Sequence, residues 1–494
     1  MRNAKPSNQW KTLDRDLGRI GAVEYATHYV AQPLVGFGIA LAFIVMAGLG
    51  STLFFGGASV SYVVIAAAAF GAYMAVNIGA NDVANNMGPA VGAKVLTMGG
   101  AIAIAAICES AGALLAGGDV VSTIAKGIID PESVANSDVF IWAMMAALIS
   151  SALWVNLATW VGAPVSTTHA VVGGVMGAGI AAAGFAAVNW PTMGLIAASW
   201  VISPVLGGVI AAIFLAFIKT NIVYQDDKIA AARKWVPVLI AIMGGVFGTY
   251  LAMKGLKKII DVDLATACLI GLGLGGVIYA ISAPLVRRQS EGLENRKRAL
   301  KVMFNAPLIL SAALLSFAHG ANDVANAVGP LAAIVHAESF GTFAGKVDLP
   351  TWVMVIGAFG ISFGLILFGP KLIRMVGSQI TKLNPMRAYC VALSAAITVI
   401  VASALGLPVS STHIAVGGVF GVGFFREWDA ERRARASSAQ RADVKRVAPE
   451  ERRRRKLVRR SHFMTIIAAW VVTVPAAAAM SALTFLVLDR FLGG

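Results

Sequence analysis

GANDVAN, at residues 79–85, recurs without change at residues 320–326. Each copy lies inside an otherwise apolar stretch, and a Gly-Pro pair follows each copy with the same spacing. Two identical heptapeptides in equivalent apolar settings indicate an internal duplication of the chain.

A second pair of segments supports the duplication. PVSTTHAVVGGVMGAG begins at Pro164 and PVSSTHIAVGGVFGVG begins at Pro408, and eleven of their 16 positions are identical. The Asp of each GANDVAN copy precedes the Ser of the following segment by 84 residues in the first half and by 87 in the second. Order and spacing are therefore both conserved between the halves.

The composition places these motifs in a membrane. The chain has 494 residues, of which 58% are hydrophobic and 13% charged, and its mean hydropathy is +0.76. We expect an all-α, polytopic membrane protein of about 12–13 transmembrane segments, with broken or re-entrant helices at the motifs. The predicted apolar segments are 35–56, 60–93, 95–118, 139–160, 164–185, 192–218, 235–254, 264–284, 302–335, 351–370, 387–406, 408–425 and 463–489.

The net charge of +15 resides mainly in the loops. Residues 285–301 and 426–462 are rich in Lys and Arg, which favours the cytoplasmic side of a cell (inner) membrane. This distribution predicts membrane lipid, and no nucleic acid, as the partner of the basic residues. The N-terminal segment 1–34 is polar and is expected in the cytoplasm, without a signal peptide.

We divide the chain by these features. The parts are the N-terminal segment 1–34 and a transporter domain 35–490, made of repeat 1 (60–186), connecting helices (192–284), repeat 2 (302–425), a basic loop (426–462) and a last helix (463–489). Counting one crossing per segment, the first GANDVAN copy runs inwards and the second outwards. Two inverted repeats are typical of secondary transporters, whose site lies between the repeats near the midplane.

The polar residues of GANDVAN predict a cation site. An ionised Asp in a membrane segment costs roughly 2.5–3.5 kcal/mol, so it needs a partner or a function. The oxygen atoms of these side chains suit a hard cation such as Na⁺. The candidate ligands are Asn81, Asp82, Asn322 and Asp323, and we expect helix breaks at the flanking glycines and prolines.

The Pro-Val-Ser motifs predict an anion site. Their hydroxyl residues are expected at the first turn of a helix, where free N–H groups and a partial positive charge bind anions. Simple N-capping is the alternative. The candidate phosphate ligands are Ser166, Thr167, Thr168, Ser410, Ser411 and Thr412, together with Asp82, Asn85, Asp323 and Asn326.

Taken together, the motifs favour coupled transport of an anion and a cation. They contain no Lys or Arg, so a cation or proton on the carboxylates would offset their repulsion of an anion. Protonated phosphate can donate a hydrogen bond to Asp, whereas sulfate cannot. Glu109 is a further buried acid and a candidate coupling-ion ligand. His169 and His413 are predicted to carry protons or to be structural, and His319 is assigned no role.

These residues resemble the PiT family of inorganic phosphate transporters, whose signature is the duplicated GANDVAN-like sequence with paired Pro-Val-Ser-[Thr/Ser]-Thr-His segments. The resemblance implies a Na⁺- or H⁺-coupled importer, with the motif residues around phosphate and its cation and no other cofactor. Glu109 is similar to the family's functional glutamate of the first repeat. Many members carry a second glutamate, at the position that Ile361 occupies here.

Several alternatives remain open at this stage. A sulfate or metal–phosphate symporter on the same scaffold, or a phosphate-sensing membrane protein, fits the same motifs. A homo-oligomer is also open. A membrane-embedded enzyme is disfavoured, because no nucleophile or acid–base arrangement is visible.

Overall fold

The computed structural model describes residues 34–54, 61–130, 133–161, 165–256, 260–341, 349–379, 383–440 and 460–492. Within these ranges the chain is almost entirely helical, and residues Ile129 and Val188 form an isolated antiparallel bridge. Eleven of the described helices are long and apolar enough to cross a membrane, and Thr167–Ala183 is a shorter apolar helix. The prediction of a polytopic, all-α membrane protein is confirmed.

Fifteen α-helices make up the described fold. In chain order they are α1 (Leu34–Phe54), α2 (Tyr62–Gly92), α3 (Met98–Ala116), α4 (Gly118–Ser122), α5 (Ser137–Val161), α6 (Thr167–Ala183), α7 (Trp190–Ile218), α8 (Lys228–Lys254), α9 (Leu264–Gln289), α10 (Lys297–Met303), α11 (Asn305–Phe340), α12 (Thr351–Gln379), α13 (Pro385–Ala404), α14 (Ser411–Gln440) and α15 (Arg460–Leu492). Short π-helices follow α4 and α7 at Thr123–Gly127 and Lys219–Val223.

The two halves exchange equivalent contacts. In the duplication, α2 corresponds to α11 and α3 corresponds to α12. Helix α2 packs along α12, and in the equivalent contact α11 packs along α3. In the same way α6 packs along α15, while α14 packs along α7. The two halves therefore pack against each other through equivalent pairs of helices.

Ser110 and Ser362 lie where the two halves meet. Their hydroxyl oxygens are 2.7 Å apart. Each hydroxyl also donates to the other helix, Ser110 to the carbonyl of Ala358 and Ser362 to that of Ala106. The reciprocity of these bonds supports the alignment of α3 with α12 on which the comparison of Glu109 with Ile361 rests.

The expectation of helix breaks at GANDVAN is wrong. Helices α2 and α11 run through both copies and through Pro89 and Pro330 without interruption. The glycine that opens each motif serves close packing instead: a Cβ at Gly79 would collide with the carbonyl oxygen of Ile361, and one at Gly320 with that of Glu109. Small residues at such contacts let membrane helices approach closely.

The interruptions lie at the Ser/Thr-rich motifs. Helix α6 begins at Thr167, and α14 begins at Ser411. The connection before α14 is held beside the central part of α11, where Asn322 donates to the hydroxyl of Ser403 and to the carbonyl of Leu407. The pairs α5–α6 and α13–α14 are thus hairpins whose tips reach the GANDVAN helices. Pro164 lies outside the described residues.

The basic segment 426–462 is partly helical. Helix α14 continues through Gln440, and α15 begins at Arg460. At the start of this extension, Asp429 pairs with Lys219 at 2.7 Å, and Tyr224 donates a hydrogen bond to the same carboxylate oxygen. These contacts attach the extension of α14 to the end of α7.

Candidate substrate and cation site

The two GANDVAN copies and the two hydroxyl motifs meet in one buried site. Asp82 and Asp323 are each only 1% exposed. Each carboxylate faces the first turn of a hairpin helix from its own half of the chain. The sequence prediction that these four motifs lie together therefore agrees with the geometry.

Asp82 is bonded by hydroxyls from both halves. Thr167, in the first turn of α6, donates to Asp82 Oδ2 at 3.0 Å. Thr412, in the first turn of α14, donates to Asp82 Oδ1 at 3.1 Å. The first-half carboxylate thus joins the tips of both hairpins.

Asp323 has a different set of neighbours. Ser411, the counterpart of Thr167, donates to Asp323 Oδ2 at 3.1 Å. The same oxygen lies 2.8 Å from Nε2 of His319, one turn earlier on α11. The other oxygen, Oδ1, has no hydrogen-bond partner among the described residues.

The last asparagine of each motif reaches across to the other half. Asn85 donates to the hydroxyl of Thr412 at 2.7 Å. Its counterpart Asn326 donates to the hydroxyl of Thr168 at 3.2 Å. Both candidate phosphate ligands therefore contact the hydroxyl groups with which the sequence grouped them.

The first asparagine of each motif holds a hairpin. Asn81 donates to the hydroxyl of Thr159 at 2.8 Å, near the end of α5. Asn322 donates to Ser403, and its carbonyl oxygen accepts the backbone N–H of Val409 at 3.2 Å. These contacts position the hairpin tips, and they occupy the Asn322 amide that the sequence assigned to a coupling ion.

Ser166 and Ser410 cap their own helices. Ser166 Oγ accepts the backbone N–H of His169 at 3.1 Å, and Ser410 Oγ accepts that of His413 at 3.4 Å. The N-capping alternative therefore describes how their oxygens are used. Because each hydroxyl still carries a hydrogen, both residues can donate to an anion at the helix N-terminus.

The two motif histidines pack together behind the caps. The rings of His169 and His413 are 4.7 Å apart, and Trp200 packs on His169 with ring centroids 3.9 Å apart. Both side chains are buried. This ring packing agrees with the structural reading of the two residues.

His319 and Asn86 were not predicted as site residues from the sequence. Both are fully buried, and both face Glu109: His319 Nδ1 lies 3.2 Å from Glu109 Oε1, and Asn86 donates to the same oxygen at 2.9 Å. Comparison of the two repeats could have identified His319, because it lies one turn before the second Asp at the position that Ile78 occupies in the first repeat. A buried ionisable residue in a membrane helix indicates function.

The site carries more negative than positive groups. Asp82, Asp323 and Glu109 surround a single imidazole, and in the described part of the chain no Lys or Arg forms an ion pair with them. One ligand atom each from Asp82, His319 and Asp323 lie within 4.8 Å of one another, which is a spacing that suits a metal ion. The arrangement can hold a cation and can place hydroxyls and helix N-termini towards an anion.

Comparison with known proteins agrees with this chemistry. The family model described as "Phosphate transporter family" matches residues 78–481. The chain belongs to the phosphate transporter family. It is a multi-pass membrane transporter of phosphate and not an enzyme, as the sequence predicted.

Individual relatives extend over nearly the whole chain. A Helicobacter pylori protein named "Putative phosphate permease" is 44% identical and covers 96% of this chain and 98% of its own length. A Pyrococcus abyssi protein whose name also describes a phosphate permease is 35% identical over 85% of this chain and 96% of its own. The solved structure titled "The sodium-dependent phosphate transporter" aligns with a TM-score of 0.79 at 35% identity, covering 87% of this chain and 100% of that chain.

Proposed function

We propose that this protein imports inorganic phosphate across the cell (inner) membrane by symport with a cation, Na⁺ or H⁺. The proposal rests on one observation: within one site, two buried carboxylates lie opposite the N-termini of two helices, whose first-turn hydroxyls bond them. The carboxylates repel an anion, whereas the N-termini attract it. A cation on the carboxylates makes the two binding events favour each other.

The hydroxyl groups provide a mechanism for this coupling. Thr167 and Thr412 now donate their hydrogens to Asp82, and Ser411 donates to Asp323. A cation that binds the carboxylate oxygens competes for the same lone pairs. The displaced hydroxyl hydrogens then become free to bond phosphate, so that cation binding prepares the anion site.

The exchange of contacts between the halves supports an inverted repeat. Helices α2 and α11 occupy equivalent positions in the two halves. Helix α2 packs on α12 of the second half, and α11 packs on α3, the first-half counterpart of α12. Rocking one half against the other would open the site to one side at a time. The basic segments 285–301 and 426–462, and the N-terminus, then lie in the cytoplasm.

Labelling tests this topology directly. Single cysteines placed in 285–301 and 426–462, in a chain from which Cys108, Cys268 and Cys390 have been removed, should resist a membrane-impermeant thiol reagent applied to intact cells. Both should react after the cells are opened. Modification of either one from outside contradicts the inverted arrangement.

Na⁺ is the first cation to test, because the related solved structure is named sodium-dependent. A second candidate, symport of a metal–phosphate complex, is favoured by the placement of Asp82, His319 and Asp323. Two carboxylates and an imidazole suit a divalent transition metal better than they suit Na⁺. The candidates differ in whether a divalent ion is required.

Competition during uptake separates these candidates. Purified protein in liposomes should accumulate labelled phosphate, and a tenfold excess of unlabelled phosphate should compete, whereas the same excess of sulfate should not. Uptake should persist in the presence of a chelator of divalent metals. Loss of uptake with the chelator would establish the metal–phosphate alternative, and equal competition by sulfate would overturn selectivity for phosphate.

A further inference from the structure

Trp200, on α7, contacts the beginnings of both hairpin helices, α6 and α14. Its indole Nε1 donates a hydrogen bond to the carbonyl oxygen of Pro408 at 3.1 Å, two residues before Ser410 caps α14. Its ring packs on His169 in the first turn of α6, with ring centroids 3.9 Å apart. We propose that Trp200 is a positioning residue for phosphate binding, because it fixes the N-terminus of α14 relative to that of α6. The proposal rests on the function proposed above, in which both N-termini bind phosphate.

The segment before α14 is held by three other helices. Three consecutive carbonyl groups there accept hydrogen bonds from different helices: that of Leu407 from Asn322 at 3.2 Å, that of Pro408 from Trp200 at 3.1 Å, and that of Val409 from Thr168 at 3.0 Å. Asn322 and Thr168 belong to the duplicated motifs, whereas Trp200 lies among the connecting helices of the sequence division. Because buried carbonyl groups need donors, the three bonds together determine where this segment lies.

The two hairpin helices are each fastened to a different neighbouring helix. A Cβ at Gly417 of α14 would collide with the carbonyl oxygen of Pro204, one turn after Trp200 on α7. Helix α6 packs in the same way on α15, where a Cβ at Gly177 would collide with the carbonyl oxygen of Ala478. Trp200 therefore belongs to the α7–α14 pair and contacts the α6–α15 pair through His169.

A row of rings joins the two caps. The Trp200 ring lies against His169, and the His169 ring lies 4.7 Å from that of His413. The backbone N–H of each histidine is bonded by the cap of its own helix, Ser166 or Ser410. Displacing the indole would therefore change the separation of the two caps. Hydrogen bonds weaken steeply as their geometry departs from the optimum, and donors that are already in place bind more tightly than donors that must be ordered.

A second tryptophan on the same helix allows a packing role to be separated from a positioning role. Trp190, ten residues earlier on α7, donates its indole hydrogen to the carbonyl oxygen of Phe185 at 3.0 Å. This bond lies beyond the end of α6 that is distant from the caps. If indole-to-carbonyl bonds of α7 serve stability alone, Trp200 and Trp190 should respond to substitution alike. If Trp200 positions the caps, its substitution alone should change phosphate affinity.

The test replaces each tryptophan by phenylalanine. Trp200→Phe keeps an aromatic ring beside His169 and removes the hydrogen that the Pro408 carbonyl accepts. Wild type, Trp200→Phe and Trp190→Phe are reconstituted in liposomes, and uptake is measured under the Na⁺ or H⁺ gradient that drives wild-type uptake. We expect Trp200→Phe to raise the KM for phosphate about fivefold, with the maximum rate changed by less than about twofold. The equilibrium Kd of the purified protein for phosphate should rise by a similar factor, because the caps are less well placed.

One further variant and the control complete the series. Trp200→Ala also removes the ring contact with His169, so we expect its KM for phosphate to rise about 20-fold. Trp190→Phe should keep its KM within about twofold of wild type. If Trp200→Ala is not monodisperse, the comparison of Trp200→Phe with Trp190→Phe decides the question.

A KM for Trp200→Phe that stays within about twofold of the Trp190→Phe value overturns the proposal, because the indole then serves stability alone. A lower maximum rate with an unchanged KM overturns it in the same way, since that pattern reports less active protein rather than a weaker site. Wild-type vesicles that take up no phosphate under any gradient would instead defeat the proposed function, so the two failures are distinguishable.

Discussion

The first and second halves of the chain build the same contacts around Asp82 and Asp323, but they differ in what lies behind them. Thr167 is 3.0 Å from Asp82, and Ser411 is 3.1 Å from Asp323. Asp82 receives a second hydroxyl from Thr412, whereas Asp323 faces His319. The duplicated part defines a shared site, and the part that is not duplicated makes the two carboxylates chemically different.

The two carboxylates differ in part because two equivalent threonine hydroxyls donate to different acceptors. Thr412 donates to Asp82, but its counterpart Thr168 donates to the backbone carbonyl of Val409 at 3.0 Å. His319 instead lies beside Asp323 Oδ2, the oxygen that Ser411 also bonds, and Asp323 Oδ1 has no hydrogen-bond partner among the described residues. A pair of identical sequence motifs can therefore produce two unlike electrostatic environments when neighbouring residues differ.

The largest expected effect tests what the halves share. Asp82→Asn and Asp323→Asn each keep the side-chain shape and remove its charge, so the cation loses a charged ligand. We expect phosphate uptake to fall about 100-fold in each variant, a change of ~2.7 kcal/mol. Both proteins should still insert, because an amide is cheaper to bury in lipid than a carboxylate.

Uptake by purified, monodisperse variants measures this effect. Near-normal uptake in either variant would remove that carboxylate from the site. Misfolding of both, with no monodisperse protein, would instead favour a purely structural role. A large effect at one Asp only would show that the halves are functionally unequal.

Close packing gives the next effect. Gly79→Ala and Gly320→Ala each force a Cβ against the carbonyl oxygen of the facing helix. We expect each to destabilise the protein by about 1–3 kcal/mol, as overpacking generally does. Thermal unfolding in detergent measures this, with Gly276→Ala as the control, because nothing lies within 4 Å of a Cβ there. Equal stability of Gly79→Ala and the control would argue against the close approach.

The helix caps are expected to contribute less. Ser166→Ala and Ser410→Ala each delete one hydroxyl at a helix N-terminus, which weakens the anion site and the cap. A phosphate affinity about fivefold lower, equivalent to ~1 kcal/mol, is expected for each. Equilibrium binding of labelled phosphate measures it. If only the melting temperature changes, the hydroxyls act as caps and do not contact phosphate.

The smallest effect lies far from the site. The carboxyl group of Asp429 is partly buried, which by itself raises its pKa, but hydrogen bonds from Lys219 and Tyr224 and the charges of Lys219 and Arg433 lower the pKa overall. The pairing therefore stabilises the folded state at pH values above the pKa of Asp in the unfolded chain. This stabilisation is lost as the pH falls through the lowered pKa of Asp429 in the folded state.

Asp429→Asn tests this junction. We expect it to cost about 1 kcal/mol or less near neutral pH and to change phosphate uptake little. The stability difference from wild type should shrink in acid, as measured by thermal unfolding across pH. A difference that grows in acid would contradict the assignment.

Much of the fold could be predicted from the sequence, because lipid imposes strong constraints on composition. Apolar runs of membrane-spanning length located the helices, and the duplicated motifs located the site. Local patterns were less reliable within the site. Gly79 and Pro89 suggest a broken helix, but tertiary packing keeps α2 continuous, since the missing side chain makes room for a neighbouring backbone.

The polar group behind the site could not be located from local patterns alone. Glu109, Asn86 and His319 come from three different helices, α3, α2 and α11, and only the packing of these helices against one another brings them together. His319 looked unimportant because its counterpart is Ile78. The two repeats differ at both positions: His319 corresponds to Ile78, and Glu109 corresponds to Ile361. Considering these two differences together would have predicted that His319 and Glu109 lie close to each other.

Gradient-driven uptake tests the central claim most directly. Purified protein in liposomes is given an inward Na⁺ gradient, an inward H⁺ gradient, or neither, at the same phosphate concentration on both sides. We predict that one of the two cation gradients drives phosphate inside above the external concentration, and that Asp82→Asn abolishes this accumulation. Equal phosphate on both sides under every gradient would contradict cation-coupled transport.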